Sequence, residues 1–204
     1  PLSIYLGSFI LTFDHPRWYQ RGLFIAALSV LAPTMAWLVP SLELKSAASV
    51  FFGGLFVACM FCHGELALMK PDPRWLTRFY LMLSLGGAIG AVLIAIIAPL
   101  VLPGYFEVNI ALILLALTLS LRLRGTWRLI GLAVFTVTAF FSVQGAQEYL
   151  RNVRVMERDF YGVVRTRDAP DPAPYRSMLH GGIVHGGQLL GDEFRNQPSD
   201  YFGP

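Results

Sequence analysis

Phe79-Tyr80-Leu81-Met82-Leu83-Ser84-Leu85-Gly86-Gly87-Ala88-Ile89-Gly90-Ala91-Val92-Leu93-Ile94-Ala95-Ile96-Ile97-Ala98-Pro99-Leu100-Val101-Leu102 carries no charged side chain from end to end. A helix needs roughly 20 such residues to cross the hydrocarbon of a bilayer, so this stretch reads as a membrane span. Five further apolar stretches flank it, at 2–13, 22–40, 46–69, 106–121 and 126–145. The chain is 55% hydrophobic and only 14% charged, which is membrane composition. The expected fold is an all-α polytopic membrane bundle of about six transmembrane segments with a small extracytoplasmic β-rich tail. The first segment is too short to span alone and reads as the end of a helix cut at its start. The last residues stop inside a polar segment, so both ends read as truncated.

Positive charge alternates between the loops. Arg17 and Arg21, then Lys70, Arg74 and Arg78, then Arg122, Arg124 and Arg128 fall in alternate connections, and the others hold only Lys45 against Glu43 and Glu107. Short loops rich in Lys and Arg stay cytoplasmic. Counting onward, the tail from about Glu148 is expected on the far side of the membrane. The net charge of +3 needs no nucleic-acid partner, because half of the basic residues set topology. Arg151, Arg154, Arg158, Arg165 and Arg167 cluster early in the tail, where a solvated face paired with Glu148, Glu157 and Asp159 is expected.

Three regions follow from the pattern. Residues 1–147 form the transmembrane domain. Residues 148–159 place Tyr149, Leu150, Val153 and Met156 at helical spacing, which predicts a juxtamembrane amphipathic helix. Residues 160–204 hold strand candidates at 160–166, 175–179 and 183–185, separated by the Pro-rich turn 168–174 and by Gly181-Gly182, with Gly186-Gly187 closing the last. Two cytoplasmic loops repeat one composition, Asp14-His15-Pro16-Arg17-Trp18-Tyr19 and Lys70-Pro71-Asp72-Pro73-Arg74-Trp75, with aromatics suited to headgroup depth. Gly86, Gly87 and Gly90 give the fourth span a small-residue packing face, to which Gly53-Gly54 offers a complementary groove.

Candidate chemistry concentrates in Cys59-Met60-Phe61-Cys62-His63-Gly64-Glu65. Cys-x-x-Cys-His is the c-type haem attachment pattern, but haem is attached outside the cytoplasmic membrane and this run lies at the inner end of a span. Cys59, Cys62 and His63 share a helix face as weak metal candidates, one ligand short of a structural zinc site. His63 and Glu65 make a candidate intramembrane polar site. A carboxylate there needs a partner, and His63, Lys70, Arg74, Arg78 or a backbone cap are in reach along the chain. Glu65 then either ties the third span to a basic loop or serves as a proton-relay or substrate-facing group. In the tail, His180, His185 and Gln188 form a recurrent motif without a completing carboxylate or cysteine. There is no P-loop, zincin helix or strand–GxGxxG–helix unit, so no cofactor is expected and an enzyme confined to these residues is not.

These residues together resemble the bacterial fused major-facilitator/spermidine-synthase-like membrane proteins. The resemblance rests on Pro1-Leu2-Ser3-Ile4-Tyr5-Leu6, Phe13–Tyr19, Cys62-His63-Gly64-Glu65-Leu66, Leu76–Leu81, Gly86-Gly87 and Ala98-Pro99, and in the tail on Phe160-Tyr161-Gly162-Val163, His180-Gly181, His185-Gly186-Gly187-Gln188 and Tyr201-Phe202. It implies a multi-pass protein of the bacterial inner membrane whose tail begins a polyamine-synthase-like domain with a small sheet. The synthase substrate loop resembles Leu-Asp-Gly-x-x-Gln followed by Tyr-His-Glu. Here His185-Gly186-Gly187-Gln188 and then Tyr201-Phe202-Gly203 stand instead, without the acidic substrate-binding residues. No position in the chain receives the catalytic aspartate. The expected function is therefore a non-catalytic scaffold or accessory subunit of a larger membrane complex. Its partners are the lipid bilayer and other membrane subunits or the missing remainder of its own chain. The alternative is the membrane domain of a polyamine-related transporter or aminopropyltransferase whose catalytic half lies elsewhere.

Overall fold

The computed structural model describes residues 1–40, 44–169, 174–194, 196, 197 and 199, with backbone alone at 44–47. Glu43, the Lys45 side chain, residues 170–173 of the Pro-rich turn and Tyr201-Phe202-Gly203 lie outside the described residues. Among the described residues there are seven α-helices: α1 (Leu2–Asp14), α2 (Arg21–Leu38), α3 (Leu44–Ala67), α4 (Leu76–Val92), the single turn α5 (Ala98–Val101), α6 (Glu107–Arg122) and α7 (Trp127–Leu150). Strands β1 (Val153–Asp159), β2 (Gly162–Ala169), β3 (Tyr175–His180) and β4 (Ile183–Leu189) follow as an antiparallel sheet in the order β1-β2-β3-β4. Among the described residues four helical runs are long and apolar enough to cross a membrane, Pro16–Leu38, Ala48–Ala67, Pro73–Val101 and Trp127–Leu150. The first apolar stretch is a helix of 13 residues and the fifth one of 16.

The loop chemistry repeats in three dimensions. His15 precedes a proline, which drives it extended at φ −146° and ends α1. Its Nδ1 then accepts from the Arg17 N–H at 3.1 Å, capping a 3₁₀ turn over Pro16–Trp18. Asp72 does the same for Pro73–Trp75, with Oδ1 accepting from the Arg74 N–H at 3.3 Å. Gly125 takes φ +60° in the tight α6–α7 turn, a conformation costly for any residue with a Cβ. Near Pro99, which has no N–H to give, α4 continues into α5 through a π-helical turn at Leu93–Ile97.

Two compact units divide the chain, Pro1–Ala88 with Val108–Gly145, and Ile89–Glu107 with Ala146–Pro204. In the first, α1 and α2 lie against α3. Leu28 and Ala32 of α2, Phe61 of α3, Ala116 and Leu119 of α6 and Val134 of α7 form its core. The burial is inverted relative to a water-soluble bundle. The buried stripe of α7 is Gly131, Val134, Thr138, Ser142 and Gly145, while Leu129, Ile130, Leu132, Val137 and Phe140 point outward. A Cβ on Gly131 would sit 2.8 Å from the Ser120 Cα, so the glycine lets the α6 backbone come close. This packing stripe was not singled out in the sequence. The expected face at Gly86 and Gly87 meets nothing within 4 Å, and Gly90 meets nothing of its own unit either. Gly54, in contrast, receives the Met35 side chain.

In the second unit, residues 153–159 form a strand and not the expected amphipathic helix. Asn152 adopts φ 57°, the left-handed conformation that follows the end of α7, and past a bulge between Val153 and Val155 the burial alternates with period two from Met156 to Asp159. Periods of two and 3.6 both fit a short run of Val, Met and Arg, so the apolar spacing alone misled. The sheet thus has four strands where three were expected. The Asp159-Phe160-Tyr161-Gly162 hairpin closes with Asp159 Oδ1 accepting from the Tyr161 and Gly162 N–H groups at 2.8 and 3.1 Å. Strand β4 runs on through Gly186-Gly187 instead of closing there. A bulge leaves His185 unpaired between the Leu179↔Val184 and Met178↔Gly186 pairs, and Gly187 gives the Tyr175 ring room to cross the strand.

Candidate functional site

Glu65, two residues before the end of α3, is the centre of the best-built polar cluster. Only 6% of its side chain is exposed. Its Oε1 accepts from Arg21 Nε at 2.7 Å and from the Tyr19 hydroxyl at 3.0 Å, and its Oε2 accepts from Arg122 Nε at 2.6 Å. Arg21 is the first residue of α2 and Arg122 the last of α6, so one carboxylate fastens three helix ends. The clamp is cross-braced, because Arg21 Nη2 also donates to the Arg122 carbonyl at 3.0 Å, satisfying an oxygen left open at the end of α6. Gly64 makes it possible. A Cβ there would collide with the Tyr19 ring, which lies flat on α3 to bring its hydroxyl to the neighbouring Glu65.

The sequence identified Glu65 but offered the wrong partners. Lys70, Arg74 and Arg78 follow on its own connection, whereas Arg21 and Arg122 come from the other two basic loops. The spacing of charge along the chain could not reveal which loops meet. His63 and Glu65 also part company, since residues two apart leave a helix on different sides. His63 is buried towards α1, with its Nδ1 3.0 Å from the Ser8 hydroxyl. The same Ser8 hydroxyl lies 2.9 Å from the Tyr5 carbonyl, so it links the imidazole to the α1 backbone. The rings of Tyr5 and Phe9 meet the imidazole edge-on at 4.8 and 5.4 Å. Cys59 and Cys62 are free thiols, and among the described residues no three His, Cys, Asp or Glu side chains converge as metal ligands.

A second polar group joins α6 to α7. Asn109 Nδ2 donates to the Ser142 carbonyl at 3.1 Å, while Asn109 Oδ1, Ser142 Oγ and Thr138 Oγ1 are buried without partners among the described residues.

In the second unit two of the tail arginines, Arg158 and Arg165, are built into the packing. Arg158 pairs with Glu107 at 2.5 Å, donates to the Gly104 carbonyl at 2.8 Å and lies over the Tyr105 ring. Arg165 stacks 4.0 Å above the Tyr149 ring and donates to the Tyr149 carbonyl. Arg151 and Arg167 both approach Glu148. Asp168 and Arg176 face each other across β2 and β3 in a two-pronged pair at 2.7 and 2.8 Å, and that hydrogen-bonded guanidinium holds the Asp168 carboxyl below its ordinary range. His180 and His185 lie with ring centres 5.7 Å apart, His180 Nε2 3.2 Å from the Tyr161 carbonyl, while Gln188 stands opposite Arg176 in the sheet. The three motif residues do not close on a shared point.

Compared with protein-family models, with curated proteins and with solved structures, the chain matches none.

Proposed function

We propose that this chain is the membrane-embedded part of a multi-pass inner-membrane protein, a non-catalytic scaffold or accessory subunit that packs against a transmembrane helix of another protein. Its sheet is read as the start of a spermidine-synthase-like domain on the periplasmic side, without the residues for aminopropyl transfer. The inverted burial supports the membrane part. Helices that hide glycine, serine and threonine and present leucine, isoleucine and phenylalanine are stable in lipid and expose far too much apolar surface for water. Exposed hydroxyls support it too. Thr34, Thr118 and Thr136 each turn back to the carbonyl four residues earlier, at 2.8–2.9 Å, as a hydroxyl without water must.

One observation carries the scaffold reading, the state of the α4 run. Pro73–Val101 has the highest hydropathy of the four membrane-length runs, 2.5, yet only 6% of its best window is buried. Lipid alone covers an aliphatic helix well but fills a glycine face poorly. Three glycines also cost a helix about 1 kcal/mol each relative to alanine, which a lipid-facing surface gives no reason to bear. A closely approaching partner helix does.

The reading is tested by extracting the protein from native membranes in mild detergent. Replacing Gly86 and Gly90 together by leucine should release a stoichiometric membrane partner without lowering the thermal stability of the chain itself. A wild-type chain that runs as a clean monomer, or a partner retained by the double variant, would overturn it.

A further inference from the structure

A cavity of about 930 Å3 opens between the start of α2 and the α6–α7 turn. Arg21, Arg122 and Arg124 stand at its charged end. Arg21 and Arg122 share the single carboxylate of Glu65. Arg124 is exposed and has no ion pair among the described residues. Three guanidiniums against one carboxylate leave two positive charges uncompensated. Arg21 and Trp127, the first residues of α2 and α7, both line the cavity, and the positive ends of these two helix dipoles outnumber the one negative end, that of α6 at Arg122.

Away from the arginines the lining changes character. Gly22, Ile25, Ala26 and Ser29 follow one stripe of α2 for about 12 Å, at 1.5 Å per residue. Leu121 and Ile130 line the cavity from α6 and α7. The site is thus cationic at one end and aliphatic along its length. A small anion fills only the charged end and leaves the apolar wall wet, whereas an amphiphile satisfies both. Trp127, mostly exposed at the mouth, has the indole placement favoured at headgroup depth.

We propose that this cavity is a binding site for an anionic phospholipid. Its phosphodiester lies among Arg21, Arg122 and Arg124, and an acyl chain runs along Ile25 and Ile130. Glu65 acts as the positioning residue that fixes two of the three guanidiniums. The proposal rests on the membrane reading above, and basic pockets between membrane helices are where anionic headgroups are recognised.

The test reconstitutes the purified chain in nanodiscs of phosphatidylcholine doped with phosphatidylglycerol and reads retained lipid by native mass spectrometry. Each uncompensated arginine near the headgroup is worth about fivefold in affinity, so phosphatidylglycerol should be retained roughly 25-fold over phosphatidylcholine. Arg124→Gln, which leaves the Glu65 clamp intact, should lower that preference about fivefold without changing the melting temperature. Equal retention of the two lipids, or an unchanged preference in Arg124→Gln, would overturn the lipid site. So would inorganic phosphate displacing phosphatidylglycerol at millimolar concentration, since a free anion would then be the occupant. A chain that stays monodisperse without detergent overturns the membrane reading itself, an outcome separate from all of these.

Discussion

Glu65→Gln is the substitution that most directly tests how the helix ends are held. The carboxylate receives three well-formed bonds, from Tyr19, Arg21 and Arg122, through two oxygens. The amide keeps one acceptor oxygen and turns an NH2 group towards a guanidinium that can only donate. At least one charge-assisted bond is lost, worth about 1.5–3 kcal/mol. The guanidinium side chains of Arg21 and Arg122 are 43% and 37% exposed, so water recovers part of the loss. That places the expected cost near the lower end, about 2 kcal/mol. For a chain of this size the apparent melting temperature in detergent should fall by about 4–8 °C. The two arginines provide the internal control. Arg21→Ala or Arg122→Ala alone leaves Glu65 one guanidinium and Tyr19, at a cost of about 1 kcal/mol each. Removing both strands a buried carboxylate, which costs about 3–5 kcal/mol, so the double variant should be worse than additive by at least about 1 kcal/mol. Measured by thermal unfolding followed through monodispersity on size exclusion, a Gln variant within about 0.5 kcal/mol of wild type, or strictly additive arginines, would refute the clamp.

Three further outcomes are expected. Gly131→Ala should destabilise the bundle by about 1–3 kcal/mol through overpacking against Ser120, whereas Gly87→Ala, with open space around it, should be neutral or stabilising in the isolated chain; equal effects would remove the distinction between the two glycine faces. Phe160→Cys in a background lacking Cys59 and Cys62 should react with a membrane-impermeant maleimide in intact spheroplasts, because Phe160 is 96% exposed at the β1–β2 hairpin tip, and labelling only after lysis would reverse the topology. The Asp168–Arg176 pair holds the carboxyl below the unfolded value of about 3.9, so its stabilisation is complete above that pH and is lost as the pH falls through the lower folded value. Amide exchange in β2 and β3 should therefore differ between wild type and Asp168→Asn at neutral pH and converge as the pH falls through the lowered folded value, and a difference that does not shrink in acid would contradict the assignment.

The helices were legible because an uncharged run of membrane length has few alternatives, and because His15-Pro16 and Asp72-Pro73 encode their own turns. The tail was less so. Val153–Asp159 fits a helical as well as an extended pattern, and the contacts that hold it extended, its pairing with β2 and Arg158 reaching Glu107, come from outside the run itself. The glycine faces show the same limit. Gly86, Gly87 and Gly90 stand close together and draw the eye, but the stripe that the fold uses spreads Gly131, Thr138, Ser142 and Gly145 over four turns of α7 and is visible only as burial.

The loop arginines illustrate why a correct reading can still be incomplete. Read along the sequence, Arg21, Arg122 and Arg124 are topology determinants, and any Lys or Arg would serve that purpose equally well. The geometry asks more of two of them. Glu65 is met through the Nε atom of both Arg21 and Arg122, and Arg21 uses a further nitrogen on the Arg122 carbonyl, a multi-pronged arrangement that a lysine cannot reproduce. A lysine at position 21 would preserve the charge code and lose the cross-brace. Charge count and charge placement are therefore separable here. A chain with Arg21→Lys should keep its orientation in the membrane and lose part of its stability, and a loss of both together would mean that the clamp and the orientation are one property.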